Sequence, residues 1–397
     1  MNSRRIDLLD SFRFLAILSV LFYHFTIEWK DHTPYGNYFG SLFKYGYLGV
    51  EFFFVISGFV ISYTLESTDS LSSFWKRRFI RLFPPLLACT LLTWGVALLL
   101  DSNQLFPHAH KIKNFWPTFT LTNPSIWSSL THTHFAWING SYWSLWVEIQ
   151  FYVLSSVLYF RHKAHFFRNI LIAAIILSIV KYVPPFLLNR GWSLSRGVTG
   201  FLKGWGYLNA VFNIDYYILW FTLGIIFHQL YKTHCLDKGT PGKGTPGEDT
   251  PGKDTSSKDT SSKDTSSKDT SSKETPGKET PGKDTSGRDT SSKDTSGKGA
   301  PGRGWSSWVR SRPLTMVCIG IVLLQLYTDR LYADRVFVIR VFQLMILTLF
   351  LLMIYKRQYL FFLNISLFKR IGVISYSIYL IHEVIGTLLI NKYGAYL

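Results

Sequence analysis

Arg13 and His24 stand eleven residues apart in the first apolar run, DSFRFLAILSVLFYHF. On a helix that spacing is about three turns, so both side chains share one face roughly 16 Å apart. Neutral imidazole is the usual general base near pH 7, and ionisable groups inside an apolar run are functional candidates because they are costly to keep there. Asp10, one turn before Arg13, is placed to pair with it. The plainer alternative is that Arg13 reaches back to a polar boundary and His24 ends the run. In GSYWSLWVEIQFYVLS, Ser144, Glu148 and Tyr152 fall at i, i+4 and i+8, a polar stripe on one helix face. Glu148 needs a partner there, with His24 and Arg13 as candidates and a structural ion pair as the bland reading. In YGYLGVEFFFVISGF, Glu51 enters an apolar run, where it lines a site or faces water at the edge. Ser57–Gly58 in the same run predicts close helix contact and a polar lining.

Two further clusters carry chemistry. FWKRRFIRLFPP packs four bases before the Pro84–Pro85 break. Arg78 and Arg81, at i and i+3, offer two guanidinium forks to phosphates, unless the bases only mark the positive-inside side of a membrane protein. Ser375, Tyr376, Tyr379, His382 and Glu383 interrupt ISYSIYLIHEVIG near the end. His382 is a second candidate there, and polar helix-packing contacts are the alternative for the group. Trp127, Trp137, Trp143, Trp192 and Trp205 suit stacking against a sugar or an aromatic belt at the membrane interface.

The elements that must hold these residues are membrane helices. The chain has 397 residues, 47% hydrophobic, with a net charge of +17. Residues 238–302 are thirteen five-residue units such as KGTPG and KDTSS, with 12 basic and 11 acidic groups and Ala300 as the one hydrophobic residue. That composition predicts a disordered linker, which cannot bury enough apolar surface to order itself. The rest is about 56% hydrophobic, with 30 basic and 14 acidic groups, a membrane composition rather than a nucleic-acid one. Three scattered Cys with no CxxC exclude a disulfide scaffold and a thiolate metal site.

Apolar runs predict nine spans, at residues 14–26, 46–65, 82–100, 141–160, 169–188, 216–231, 313–328, 341–355 and 371–390. A tenth fits within 191–212 or 359–368. The expected fold is all-α, a polytopic helical bundle of about ten spans, with residues 1–232 and 313–397 forming the bundle and 233–312 the low-complexity linker. Lys76, Arg77, Arg78 and Arg81, then Arg161, Lys163 and Arg168, fall on the side of the N-terminus, which the positive-inside rule makes cytoplasmic.

Taken in order, LDSFRFLAILSVLFYHF, GYLGVEFFFVISGFVI, FWKRRFIRLFPP and YWSLWVEIQFYVL, with ISYSIYLIHEVI in support, resemble the acyltransferase-3 family of integral membrane acyltransferases. The resemblance is strong over residues 4–160 and weak over 216–390, and it leaves out the repeat. It implies a bacterial inner-membrane enzyme of about ten spans, an acyl-CoA donor (often acetyl-CoA) bound from the cytoplasm, and a glycan or glycolipid acceptor outside, such as lipopolysaccharide or another surface polysaccharide. No metal and no nucleic acid are expected. The resemblance makes His24 the base or transient acyl carrier, Arg13 its positioning partner, and Arg78 and Arg81 the contacts to CoA phosphates. Glu148 is expected to orient His24, and Glu51, Ser144 and Tyr152 to contact substrate. Two departures bear on acceptor choice: Glu51 stands where the family has Asp, and Ile149 follows Glu148. Other classes remain open from sequence. A secondary transporter would show broken helices at matching positions, for which only Pro84–Pro85 and Pro184–Pro185 qualify. A lipid-linked glycosyltransferase would use an outer acid such as Glu28 or Asp31.

Overall fold

A computed structural model describes residues 6–35, 41–190, 195–209, 211–236 and 336–394, together with 39, 316, 317 and 320. Among the described residues all regular structure is helical, with no strand. In chain order the helices are α1 (Asp7–Tyr23), α2 (Gly49–Glu66), α3 (Leu71–Leu100), α4 (Phe115–Thr120), α5 (Pro124–Thr131), α6 (Trp143–Arg161), α7 (Phe166–Asn189), α8 (Arg196–Asn209), α9 (Ile218–Tyr231), α10 (Val336–Tyr355), α11 (Ser366–Ile381) and α12 (Thr387–Tyr393). The pentad repeat and the expected span at 313–328, apart from 316, 317 and 320, lie outside the described residues.

Among the described residues, six segments are long and apolar enough to cross a membrane: Asp7–Glu28, Gly46–Glu66, Leu71–Leu100, Lys163–Pro184, Phe337–Tyr355 and Ser366–Tyr393. Each matches a span read from the sequence. Two other expected spans are helices that fall short for physical reasons. The 19-residue α6 carries Ser144, Glu148 and Gln150, which dilute its apolar character. The 14-residue α9 is too short, although nearly all of it is buried. The expectation of about ten spans therefore extends beyond the six found among the described residues.

Helix α2 is the centre. In its most apolar window 67% of residues are buried, against 28% for α3, α7 and α10, which present leucines and isoleucines outward as lipid-facing helices do. It packs against α1 and, most extensively, against α9. At that second crossing Gly58 and Gly224 interlock: a Cβ on Gly58 would strike the Phe221 carbonyl, and one on Gly224 the Val55 carbonyl. Small residues let two backbones touch, the close contact that Ser57–Gly58 predicts. Helix α11 closes on α1 in the same way, since a Cβ on Gly372 would strike the Asp10 carbonyl. Phe350 of α10 joins the core between Phe12 (5.3 Å between ring centroids) and Phe227 (4.4 Å).

Two expectations of local structure change. The basic stretch FWKRRFIRLFPP, most of which precedes the span expected at 82–100, belongs to the first turns of α3, capped by the Ser70 hydroxyl on the Ser73 amide. Pro84–Pro85 does not end that helix, nor does Pro184–Pro185 end α7. Beside the first pair, the Tyr376 hydroxyl of α11 donates to the Leu82 carbonyl at 3.1 Å.

Candidate active site

Helices α1, α2, α3, α6 and α11 enclose a chamber of about 240 Å³. Its polar lining includes Arg13 of α1, Ser57 of α2, Arg81 of α3, Ser144 and Glu148 of α6, and Tyr379 of α11, with Phe53, Phe54 and Tyr376 among its apolar walls. Arg13 is tied to buried Asp10 at 2.6 Å, as their one-turn spacing predicts. Glu148 Oε1 accepts from Ser57 Oγ at 2.5 Å and from Tyr152 Oη at 2.6 Å. One carboxylate thus fixes two hydroxyls on two helices. No hydrogen bond joins Glu148 to His24 among the described residues. Glu148 lies beside the chamber, while His24 closes the far end of α1, so the expected orienting contact between them is not formed.

Arg78 and Arg81 share a sequence motif but face different surroundings. Arg78 is 4% exposed. Its guanidinium sits 5.4 Å from the Phe74 ring and 5.3 Å from the Tyr152 ring, and it donates to Thr64 Oγ1 of α2. Cation–π contacts and a hydrogen bond in a dry site hold α3 to α2 and α6. Arg81, one turn on, is exposed and lines the chamber. Tyr152 is wholly buried between Arg78 and Glu148, so it belongs to this packing network rather than to a substrate-contacting surface.

At the other end of the chamber, Tyr379 Oη hydrogen-bonds to Ser144 Oγ (2.8 Å) and donates to the Ser141 carbonyl (3.0 Å). Its ring lies 5.4 Å from that of His382. The His382 ring in turn meets the His24 ring at 4.7 Å and a steep 80°. Each histidine opens a single π-turn, His24–Glu28 and His382–Gly386. Such turns interrupt α-helices frequently at functional sites. Glu383 reaches back to accept the Ser141 amide at 2.6 Å, and Asn139 Nδ2 donates to the Leu380 carbonyl at 2.8 Å, so α11 pins the start of α6. From Tyr379 on the chamber wall, ring contacts thus run through His382 to His24 at the far end of α1.

The structure therefore brings Arg13, Arg81, Ser144 and Glu148 around one space and sets His24 just beyond Tyr379. Glu51 lies half-buried in the first turn of α2, where an acid suits the helix dipole. Among the tryptophans, Trp127 donates its indole N–H to Thr120 and Thr122, and Trp143 packs on Tyr217 at 5.4 Å. Trp192 lies outside the described residues. Sequence reasoning undervalued Tyr379 and His382. Their one signal was the crowding of polar residues in SYSIYLIHE, which reads equally well as helix packing. Among the described residues no group of three or more His, Cys, Asp or Glu is placed to hold a metal.

A Staphylococcus aureus (strain COL) protein provisionally described as an O-acetyltransferase is 29% identical over 168 residues, 39% of this chain and 25% of that protein. The O-acetyl transferase of Shigella phage Sf6 is 34% identical over 153 residues, 37% of this chain and 44% of the phage protein. O-acetyltransferase OatA of S. aureus (strain NCTC 8325) is 28% identical over 193 residues, 43% of this chain and 28% of that protein. The chain thus spans less than half the length of each of these relatives. No solved structure matches. The acyltransferase-3 family model, described as an acyltransferase domain, matches residues 6–241, more than half of the chain and all five chamber helices except α11, and on that match the chain belongs to the acyltransferase-3 family.

Proposed function

We propose that the chain moves an acyl group, acetyl in the simplest case, from acyl-CoA to a hydroxyl of an extracytoplasmic glycan or glycolipid such as a surface polysaccharide. The observation that carries this reading is the chamber, with guanidinium groups at one end and imidazoles just past the other. About 240 Å³ is below the ~300–1,000 Å³ of pockets that engulf a drug-sized ligand. It suits the slender thioester arm of a donor whose bulky nucleotide stays outside. Arg81 offers a fork to the CoA phosphates, with Arg13 lining the route and Arg78 bracing α3 from behind. Ser57, Glu148 and Ser144 give the arm's amides polar partners. His24 serves the acceptor hydroxyl as base, or takes the acyl group itself.

The bases at the start of α3 favour a cytoplasmic side for that end of the bundle and the N-terminus, and a bacterial cytoplasmic membrane would give access to acyl-CoA on one side and surface glycans on the other. The names borne by the staphylococcal and phage relatives favour O-acetyl transfer. The unbroken courses of α3 and α7 through their proline pairs speak against a transporter of the discontinuous-helix kind. The test is purified protein with labelled acetyl-CoA and surface glycan from its host. Transfer by wild type and its loss in His24→Ala are expected; transfer at the wild-type rate by a folded His24→Ala chain would refute the assignment of His24.

A further inference from the structure

His382 is 3% exposed, and its Nδ1 lies 2.7 Å from the Tyr379 carbonyl oxygen. A carbonyl only accepts, so in the neutral ring the proton is on Nδ1 and the lone pair on Nε2. That Nε2 is enclosed and makes no hydrogen bond among the described residues. Enclosed acceptors nearly always find a donor, and an exception asks for a reason. Facing it, the His24 ring keeps its own Nδ1 enclosed and without a hydrogen bond. The two π-turns carrying these rings press together, since Gly386 leaves no room for a Cβ against the Phe25 ring. The neighbouring carboxylate, Glu383, is engaged by the Ser141 amide. His382 Nε2 is thus a lone pair fixed in direction, beside the proposed catalytic histidine and without a structural partner.

We propose that His382 is a second catalytic residue, the base for the acceptor hydroxyl, and that His24 is the acyl carrier. This rests on the acyltransferase reading above. A His24 ring nitrogen attacks the thioester carbonyl carbon. The new C–N bond forms, the C–S bond breaks with its electron pair, and CoA leaves as the thiolate. The acceptor oxygen then attacks the same carbon while its proton passes to His382 Nε2. The C–N bond breaks, its pair returns to His24, and the ester is complete. The proton on His382 finally passes through solvent to the CoA thiolate. Acylated on one ring nitrogen and still protonated on the other, His24 has no lone pair left to receive the hydroxyl proton, so the second step needs a separate base. His382 supplies it.

The test uses the full chain in detergent with radiolabelled acetyl-CoA, water as the acceptor hydroxyl, and hydroxylamine as a nucleophile that needs little help from a base. His382→Asn keeps a donor for the Tyr379 carbonyl, because the amide nitrogen takes the place of Nδ1, and it removes the basic nitrogen. It is expected to take up label on the protein as wild type does, to release acetate to water about 10²–10⁴-fold more slowly, and to discharge to hydroxylamine at the wild-type rate. His382→Gln, which substitutes at the Nε2 position instead, is expected to behave alike and guards against a folding defect peculiar to Asn. Release at the wild-type rate by either variant overturns the proposal. So does failure of both to take up label, because His382 would then act before the acceptor step. A wild-type chain that takes no label yet acetylates glycan also overturns this division of labour while leaving the parent reading intact. A chain that does neither overturns the parent reading and this one with it.

Discussion

Replacing Arg78 and Arg81 one at a time separates what the shared motif joins. In Arg78→Ala the protein loses a buried guanidinium lying 5.4 and 5.3 Å from two aromatic rings and bonded to Thr64. Desolvated cation–π contacts are worth up to about 2 kcal/mol, and a hydrogen bond made by a charged group contributes about 1.5–3 kcal/mol. The Tyr152–Glu148 bond and the Thr64 hydroxyl lose their neighbour as well, so the expected loss is about 3–5 kcal/mol of stability. Arg81 is exposed at the chamber and makes no ion pair among the described residues, so Arg81→Ala is expected to change stability by less than about 0.5 kcal/mol. A hydrogen bond to a charged group contributes about 1.5–3 kcal/mol, and its loss would raise the donor's KM by roughly 10–150-fold with kcat less affected. Thermal unfolding in detergent measures the first effect and initial rates at varied acetyl-CoA the second. If Arg78→Ala unfolds with the wild type while Arg81→Ala leaves KM unchanged, the division of roles drawn from burial is wrong.

Other positions give sharper local tests. Glu148→Gln keeps the shape but weakens both hydroxyl bonds from Ser57 and Tyr152, with an expected cost of about 1–2 kcal/mol read as a lowered unfolding temperature. Gly224→Val drives side-chain atoms into the Val55 carbonyl and should abolish recovery of monodisperse protein, whereas Gly95→Ala, with open space around it, should not. Tyr379→Phe removes the hydroxyl shared by Ser144 and Ser141, costs about 1 kcal/mol in unfolding measurements, and should lower acetyl transfer more than donor binding. Deleting residues 238–302, whose charges sum to +1, should leave transfer within about twofold of the full chain.

Much of the site was legible because its residues repeat at helical spacings. Asp10 and Arg13 pair as one turn apart should. Ser144 and Glu148 face one space because i and i+4 must, and Gly58 sits at a close crossing because a small residue in an apolar helix seldom has another reason. What was not legible depends on partners distant in sequence. Arg78 and Arg81 look alike until α6 delivers Tyr152 beside one of them. Glu148 seemed to want His24, but Ser57 of the adjoining helix reaches it first. The His24–His382 contact joins the two ends of the chain through π-turns that no periodicity announces. Span counting faltered for a related reason: α6 and α9 are shielded by neighbours, so neither needs the continuous apolar length by which a lipid-facing helix is recognised.

The most direct measurement is the mass profile of surface glycans from cells with and without this chain, complemented by wild type or by His24→Ala. The account predicts that an acetyl increment disappears with the chain, returns with wild type, and does not return with a stably produced His24→Ala protein. Glycans that keep every acetyl group in the absence of the chain, or regain them with His24→Ala, would contradict it.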